Sequence, residues 1–198
     1  MKRLVALLAL TLLAVSGNAN VPASSGKTAG NAVAPLMIEV FSDFQCPSCK
    51  AFHTGALKSL MDDYVSKGKV YLVFREFPLP MHAFAREASS YACAAAQVGK
   101  YMEVGDALFA HQGDWSNTGK VAEAACSVLT PAQAQRVRAL AKDAAVKAEI
   151  ERDVQLGQSA GVNSTPTLLI THKLKRYPVS GTLHYNLLRR LLDDLLAK

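Results

Sequence analysis

Apolar positions in this chain fall into two periods, separated by stretches that have neither. Leu36-Met37-Ile38-Glu39-Val40-Phe41 is an apolar run of strand length, and Val70-Tyr71-Leu72-Val73-Phe74 is a second. Between them Pro47 suits the first turn of a helix reaching about Val65, with Phe52, Leu57, Leu60 and Met61 as its apolar face. Two strands joined by a helix of that length predict a right-handed crossover with the strands parallel. Phe77-Pro78-Leu79-Pro80 breaks the pattern, and about 75 Ala-rich residues follow, nearly free of proline and of strand signals. Gly99, Gln112-Gly113-Asp114 and Thr130-Pro131 divide this block into four expected helices, over about 83–97, 100–110, 118–128 and 131–157. Thr130 followed by Pro131 is a cap and a first-turn proline, which makes that boundary the best defined. After Gly161 the pattern returns to strand: residues 167–171, a basic turn, and Tyr177-Pro178-Val179 predict a hairpin. Leu187, Leu188, Leu191, Leu192, Leu195 and Leu196 then recur at helical spacing and predict a closing helix buried on one side. No internal repeat is present.

The N-terminus has its own pattern. Lys2 and Arg3 precede an almost wholly apolar run from Leu4 to Val15, and Gly17-Asn18-Ala19 offers small residues for cleavage. Residues 1–19 therefore read as a signal peptide cleaved near Ala19, because about twelve apolar residues are too few for a spanning helix, which needs roughly 20. Residues 20–35, rich in Ser, Gly, Ala, Asn and Pro, read as a flexible lead-in, with structure expected from Leu36. The expected location is exported.

Of the 198 residues, 50% are apolar and 19% charged, which excludes a wholly disordered chain. Loss of the signal lowers the formal charge from +6 to about +4. The remaining basic residues are scattered, and several stand beside acids, as in Arg75-Glu76 and Arg86-Glu87; no stripe suits phosphate contacts, and nucleic acid is not an expected partner. Lys173, Lys175 and Arg176 read as a solvated turn.

Four cysteines survive signal removal: Cys46, Cys49, Cys93 and Cys126. Export places them where disulfides persist, so two bridges and three pairings are open. Cys46-Pro47-Ser48-Cys49 sits where the first strand ends and the helix begins. Pro47 suits the first helical position, which puts Cys46 at or beside the N-cap, facing free N–H groups and the positive end of the helix dipole. Both favour a thiolate, so the Cys46 pKa should be lowered. Cys49 lies one turn on, on the same face, within reach of a reversible bridge. Cys46 is accordingly the expected nucleophile and Cys49 the resolving residue. A fixed structural bridge rarely needs this spacing at a strand-to-helix junction. A zinc or copper site is the competing chemistry, since His53 stands four residues after Cys49, but it needs a fourth ligand and no second Cys-x-x-Cys or His-x3-His supplies one. Neither a metal nor another cofactor is expected.

Three segments resemble the DsbA-like branch of the thioredoxin superfamily: residues 41–50 (Phe41-Ser42-Asp43-Phe44-Gln45-Cys46-Pro47-Ser48-Cys49-Lys50), residues 75–80 (Arg75-Glu76-Phe77-Pro78-Leu79-Pro80) and residues 161–167 (Gly161-Val162-Asn163-Ser164-Thr165-Pro166-Thr167). The resemblance covers residues 34–198. It implies an α/β thioredoxin fold over 36–80 and 158–198, with a helical domain of residues 81–157 inserted between the second strand and the late hairpin. It also implies that Pro166 is cis and faces the redox cysteines, leaving the backbone of Thr165 to pair with an extended substrate segment beside Cys46. Thr165 and Pro166 are thus expected substrate-contacting residues, and Pro47 and Ser48 the spacer that tunes the motif. Two departures stand out. Many thioredoxin-fold enzymes have a buried acid six residues before the first cysteine, where this chain has Val40; Glu39 falls on the opposite strand face and is not assigned as a proton acceptor. The spacer is Pro-Ser where the strongest oxidants have Pro-His, which implies a milder oxidant.

Cys93 and Cys126 lie in the helical block without helix-start placement, and a structural role is expected. Some DsbA-like proteins have a second bridge there, and a loop of that size is worth roughly 4 kcal/mol by chain entropy. Two buried free thiols are the alternative. The expected activity is a monomeric periplasmic dithiol oxidase that donates the Cys46-Cys49 disulfide to reduced or misfolded exported proteins and is regenerated by a membrane redox partner. A disulfide isomerase or reductase on the same fold is the nearest alternative, since Thr before the cis proline also occurs in isomerases; the lack of a dimerisation domain before Leu36 weakens it. A non-catalytic binding or chaperone module using the Ala-rich helices and residues 77–84 is the third reading.

Overall fold

The computed structural model describes residues 26–181 and 184–198; the expected signal peptide lies outside them. Strands β2 (Leu36–Ser42) and β3 (Val70–Glu76) pair in parallel, Leu36 opposite Val70 through Ser42 opposite Glu76. Both are Val-, Leu- and Phe-rich and covered on their two faces, which suits a parallel pair. Strand β4 (Thr167–His172) adds antiparallel to β2, and β5 (Lys175–Ser180) forms the expected hairpin with β4. With a short β1 (Thr28–Ala29), the sheet order is β1-β3-β2-β4-β5. This is the thioredoxin arrangement, with helices between β3 and β4 as the resemblance implies.

The crossover is not one continuous helix. Helix α1 (Pro47–Thr54) stops at Gly55, which adopts φ −115° and ψ −92°; α2 (Ala56–Leu60) restarts, and residues 61–65 wind as one π turn. Glycine leaves helical dihedrals at least steric cost, and the break lets both Phe52 and Leu57 reach the core under the sheet.

The first strand falls where a lead-in is expected, and it corrects that reading for residues 26–35. Strand β1 (Thr28–Ala29) pairs antiparallel with β3, Thr28 opposite Val73. Its anchor is polar: Lys27 is fully buried, with Nζ 2.7 Å from Asp153, 3.2 Å from Glu149 and 3.5 Å from Glu76. Gly26, at φ +105°, passes so close to helix α3 (Ala85–Ala96) that a Cβ would stand 2.4 Å from the Ala96 carbonyl oxygen.

The helical block holds six helices where four are expected: α3 (Ala85–Ala96), α4 (Tyr101–Ala110), α5 (Gln112–Thr118), α6 (Val121–Cys126), α7 (Pro131–Leu140) and α8 (Ala144–Ser159). Thr130 and Gln133 form a full capping box at α7. The expected 131–157 helix divides because Asp143 caps α8, accepting from the Ala145 N–H at 2.9 Å. Helix α5 occupies the expected break because Trp115 buries its indole and donates Nε1–H to Leu108 O at 2.7 Å. The Ala and Ser side chains of α3 let α4, α6, α7 and α8 all pack against it. Helix α9 (Tyr185–Leu196) closes the fold through Leu188, Leu192 and Leu195.

Candidate active site

Helix α1 begins at Pro47, and Cys46 is its N-cap with extended dihedrals, φ −76° and ψ 122°. Proline at the first position has no N–H to leave unpaired, and Cys46 O accepts the first helical bond from Lys50 N at 3.1 Å. Cys46 Sγ lies 3.4 Å from the carbonyl oxygen of Thr165, to which the thiol donates. The Thr165-Pro166 peptide is cis, as expected, and brings that carbonyl to the nucleophile. Thr165 Oγ1 is buried beside it.

The two thiols are driven apart electrostatically. A hydrogen bond from Cys49 lowers the Cys46 pKa to about 5, helped by Thr165 and by the backbone N–H groups of Cys49 and Ser48 and opposed by partial burial. Burial, first, and the hydrogen bond to Cys46, second, hold the Cys49 thiol far above the ordinary range. Cys49 is fully buried, and its Sγ accepts from Asp43 N at 3.4 Å. Cys46 is thus the thiolate at neutral pH and Cys49 the protonated reserve beneath it.

Three polar side chains hold the loop that carries Cys46, and sequence reasoning assigned a role to none of them. Asp43, fully buried, accepts from Gln45 N at 2.7 Å and Leu79 N at 2.8 Å and pairs with His82 Nδ1 at 2.7 Å. Gln45 Oε1 accepts from Phe84 N at 2.8 Å. Gln112, from α5, donates Nε2 to Phe44 O at 2.7 Å and Cys46 O at 3.0 Å. The 77–84 segment therefore braces the site. The only prior signal was the position of Asp43 and Gln45 inside the cysteine motif; Gln112 is 66 residues away and gave none.

The remaining expected residues separate from the site. His53 pairs with Asp106 at 2.6 Å and stacks, tilted, on Phe109, and no group of residues suited to a metal ion occurs among the described residues. Glu39 pairs with Arg75 at 2.9 Å, and Arg75 also reaches Asp153 of α8 at 3.1 Å, whereas Val40 shares a core cluster with Cys49. All four cysteines are free thiols in this structure, the redox pair included, and Cys93 and Cys126 fall in different core clusters. Cys93 packs with Val146 and Ile150, its Sγ 3.5 Å from Lys27 Nζ, whereas Cys126 joins the main core.

A family model described as thioredoxin matches residues 23–194. Among curated relatives, the Na(+)/H(+) antiporter NhaA 1 of Mycolicibacterium gilvum is 32% identical over 153 residues, covering 75% of this chain and 24% of the antiporter. The chain spans about a quarter of the length of the antiporters it matches. Disulfide bond formation protein D of Bacillus subtilis is 25% identical over 171 residues, 81% of this chain and 73% of that protein. The crystal structure of Pseudomonas aeruginosa DsbA2 is 28% identical, with a TM-score of 0.65 over 86% of this chain and 93% of that one.

Proposed function

The chain belongs to the thioredoxin family, in its DsbA-like form, and on that premise we propose that it is a thiol-disulfide oxidoreductase working as a dithiol oxidase through Cys46 and Cys49. The observation that carries the reading is the pairing of a Cys46 thiol lowered to about 5 with a buried Cys49 thiol raised far above it. A substrate thiolate attacks Cys46 Sγ of the oxidised pair; the Cys46–Cys49 bond breaks, and Cys49 leaves and takes a proton. A second substrate thiolate then attacks the substrate sulfur of the mixed disulfide, and Cys46 leaves as a thiolate. The substrate is oxidised by two electrons and the pair is reduced. The low Cys46 pKa makes it the better leaving group in that last step and stabilises the reduced enzyme, which favours oxidation of the substrate.

Thr165 O, which faces Cys46, accepts a backbone N–H from an extended substrate segment, with Pro166 fixing the loop behind it. Substrates are reduced or misfolded exported proteins; a membrane redox partner reoxidises the pair, and the protein acts in the periplasm as a monomer. The Pro47-Ser48 spacer makes it a milder oxidant than members with histidine before the second cysteine. The test is oxidative refolding of a reduced multi-disulfide protein by catalytic amounts of oxidised enzyme, beside insulin reduction. Refolding lost in Cys46→Ser is expected, and insulin reduction without any oxidative refolding would replace the oxidase reading with the reductase one.

A further inference from the structure

Gln112, outside the motif and its 77–84 brace, hydrogen-bonds to the backbone of the nucleophile. Its carboxamide nitrogen spans two carbonyls, Phe44 O at 2.7 Å and Cys46 O at 3.0 Å, on either side of Gln45. It is buried, so neither bond is in competition with bulk water. Cys46 O is also the acceptor that starts α1, through Lys50 N at 3.1 Å. Gln112 stands at the first position of α5, a helix held by the Trp115 indole bonded to Leu108 O.

Building on the oxidoreductase reading above, we propose that Gln112 is a positioning residue for Cys46: its two N–H bonds lock the extended N-cap dihedrals that aim Sγ at the free N–H groups of α1. Two effects follow from one amide. The bond to Cys46 O fixes ψ of the nucleophile, so the thiolate stays over the N–H groups of Ser48 and Cys49. The partial positive charge of the NH2 group also stands beside the residue that carries the negative one, in a site of low dielectric. Through this bond the helical block, and not only the thioredoxin sheet, sets the thiolate. The role differs from that of Trp115, which holds the same helix by donating to Leu108 O.

The test compares Gln112→Met and Gln112→Glu with Trp115→Phe, each purified at a temperature where it is folded by circular dichroism. Met keeps the length and removes both donors; Glu is isosteric and replaces the donors with a carboxylate. The thiolate absorbance of Cys46 against pH and the equilibrium with glutathione are read for each. Gln112→Met is expected to raise the Cys46 midpoint by about half a unit, about a threefold change in the thiolate equilibrium, with a matching loss of oxidising strength. Gln112→Glu should raise it further, and Trp115→Phe should lower stability while leaving both readouts in place. A Gln112→Met protein that is less stable but has an unchanged Cys46 midpoint and glutathione equilibrium overturns the proposal, and so does an equal shift in Trp115→Phe. If Gln112→Met does not fold, Gln112→Glu decides alone by the same readouts. Failure of the wild type to exchange with glutathione would refute the oxidoreductase reading instead, and the thiolate midpoint would still judge Gln112.

Discussion

The sharpest consequence of the site is the pH at which Cys46 reacts. With a pKa of about 5 in place of the ordinary 9.0, about 99% of Cys46 is thiolate at pH 7, where an ordinary thiol is about 1% thiolate. Lowering the pH from 7 to 4 should therefore slow alkylation of Cys46 by iodoacetamide about tenfold, against about a thousandfold for an ordinary thiol. The same shift acts on stability. The folded pKa lies below the unfolded one, so between about pH 5 and pH 9 the unfolded reduced chain binds more protons, and reduced-state stability rises with pH across that window. The contribution is lost as the pH falls through about 5, and Cys49 is protonated in both states below pH 9. The oxidised protein has no such thiol, so the gap between urea midpoints of reduced and oxidised protein should move toward the reduced form as pH is raised from 5 to 8. Thr165→Val removes the buried hydroxyl beside the thiolate and should raise the midpoint, by up to about one unit. The assay is stopped-flow alkylation with peptide mass analysis to assign the modified residue. A wild-type midpoint above about 8, or modification of Cys49 ahead of Cys46, would refute the electrostatic account.

Further consequences concern the scaffold. Lys27→Met leaves Asp153, Glu149 and Glu76 without the ammonium they surround, and breaking such a buried arrangement should cost about 3–5 kcal/mol in urea unfolding at pH 7. Burial already raises the Glu76 pKa and Lys27 opposes that rise, so in the variant the folded pKa climbs further above the unfolded one. The destabilisation should therefore be largest at pH 7 and shrink toward pH 5; a loss that grows on acidification would contradict the charge account. Asp43→Ala orphans the N–H groups of Gln45 and Leu79 and the His82 ring, with an expected cost of about 2–4 kcal/mol and faster hydrogen exchange confined to residues 43–50 and 79–84. Cys93→Ala should leave migration on non-reducing gels and the Cys126 thiol count unchanged, whereas loss of a disulfide species on substitution would establish a Cys93-Cys126 bridge.

The strands, the closing helix and the redox pair were legible because their signals are local. Val, Leu and Phe runs bounded by Gly and Pro define β2, β3 and β4, and a Cys-Pro-x-Cys at a strand-to-helix junction carries its chemistry in four consecutive residues. Helix limits in the Ala-rich block were less so: α3 is buried by small side chains on several faces and leaves no single apolar stripe to read, while Asp143 and Trp115 set their boundaries through individual hydrogen bonds. Strand β1 was hidden because a lysine holds it. Lys27 is buried only because Asp153, Glu149 and Glu76 converge on it from α8 and β3, and a scale that scores residues one at a time places lysine in water. The same holds at the site. Cys46 and Cys49 identify themselves, but the brace from Leu79 and His82, the amide of Gln112 and the facing carbonyl of Thr165 lie 33 to 119 positions from Cys46. Their meeting depends on side-chain geometry across four segments of the chain, and that information exists only once the backbone has folded.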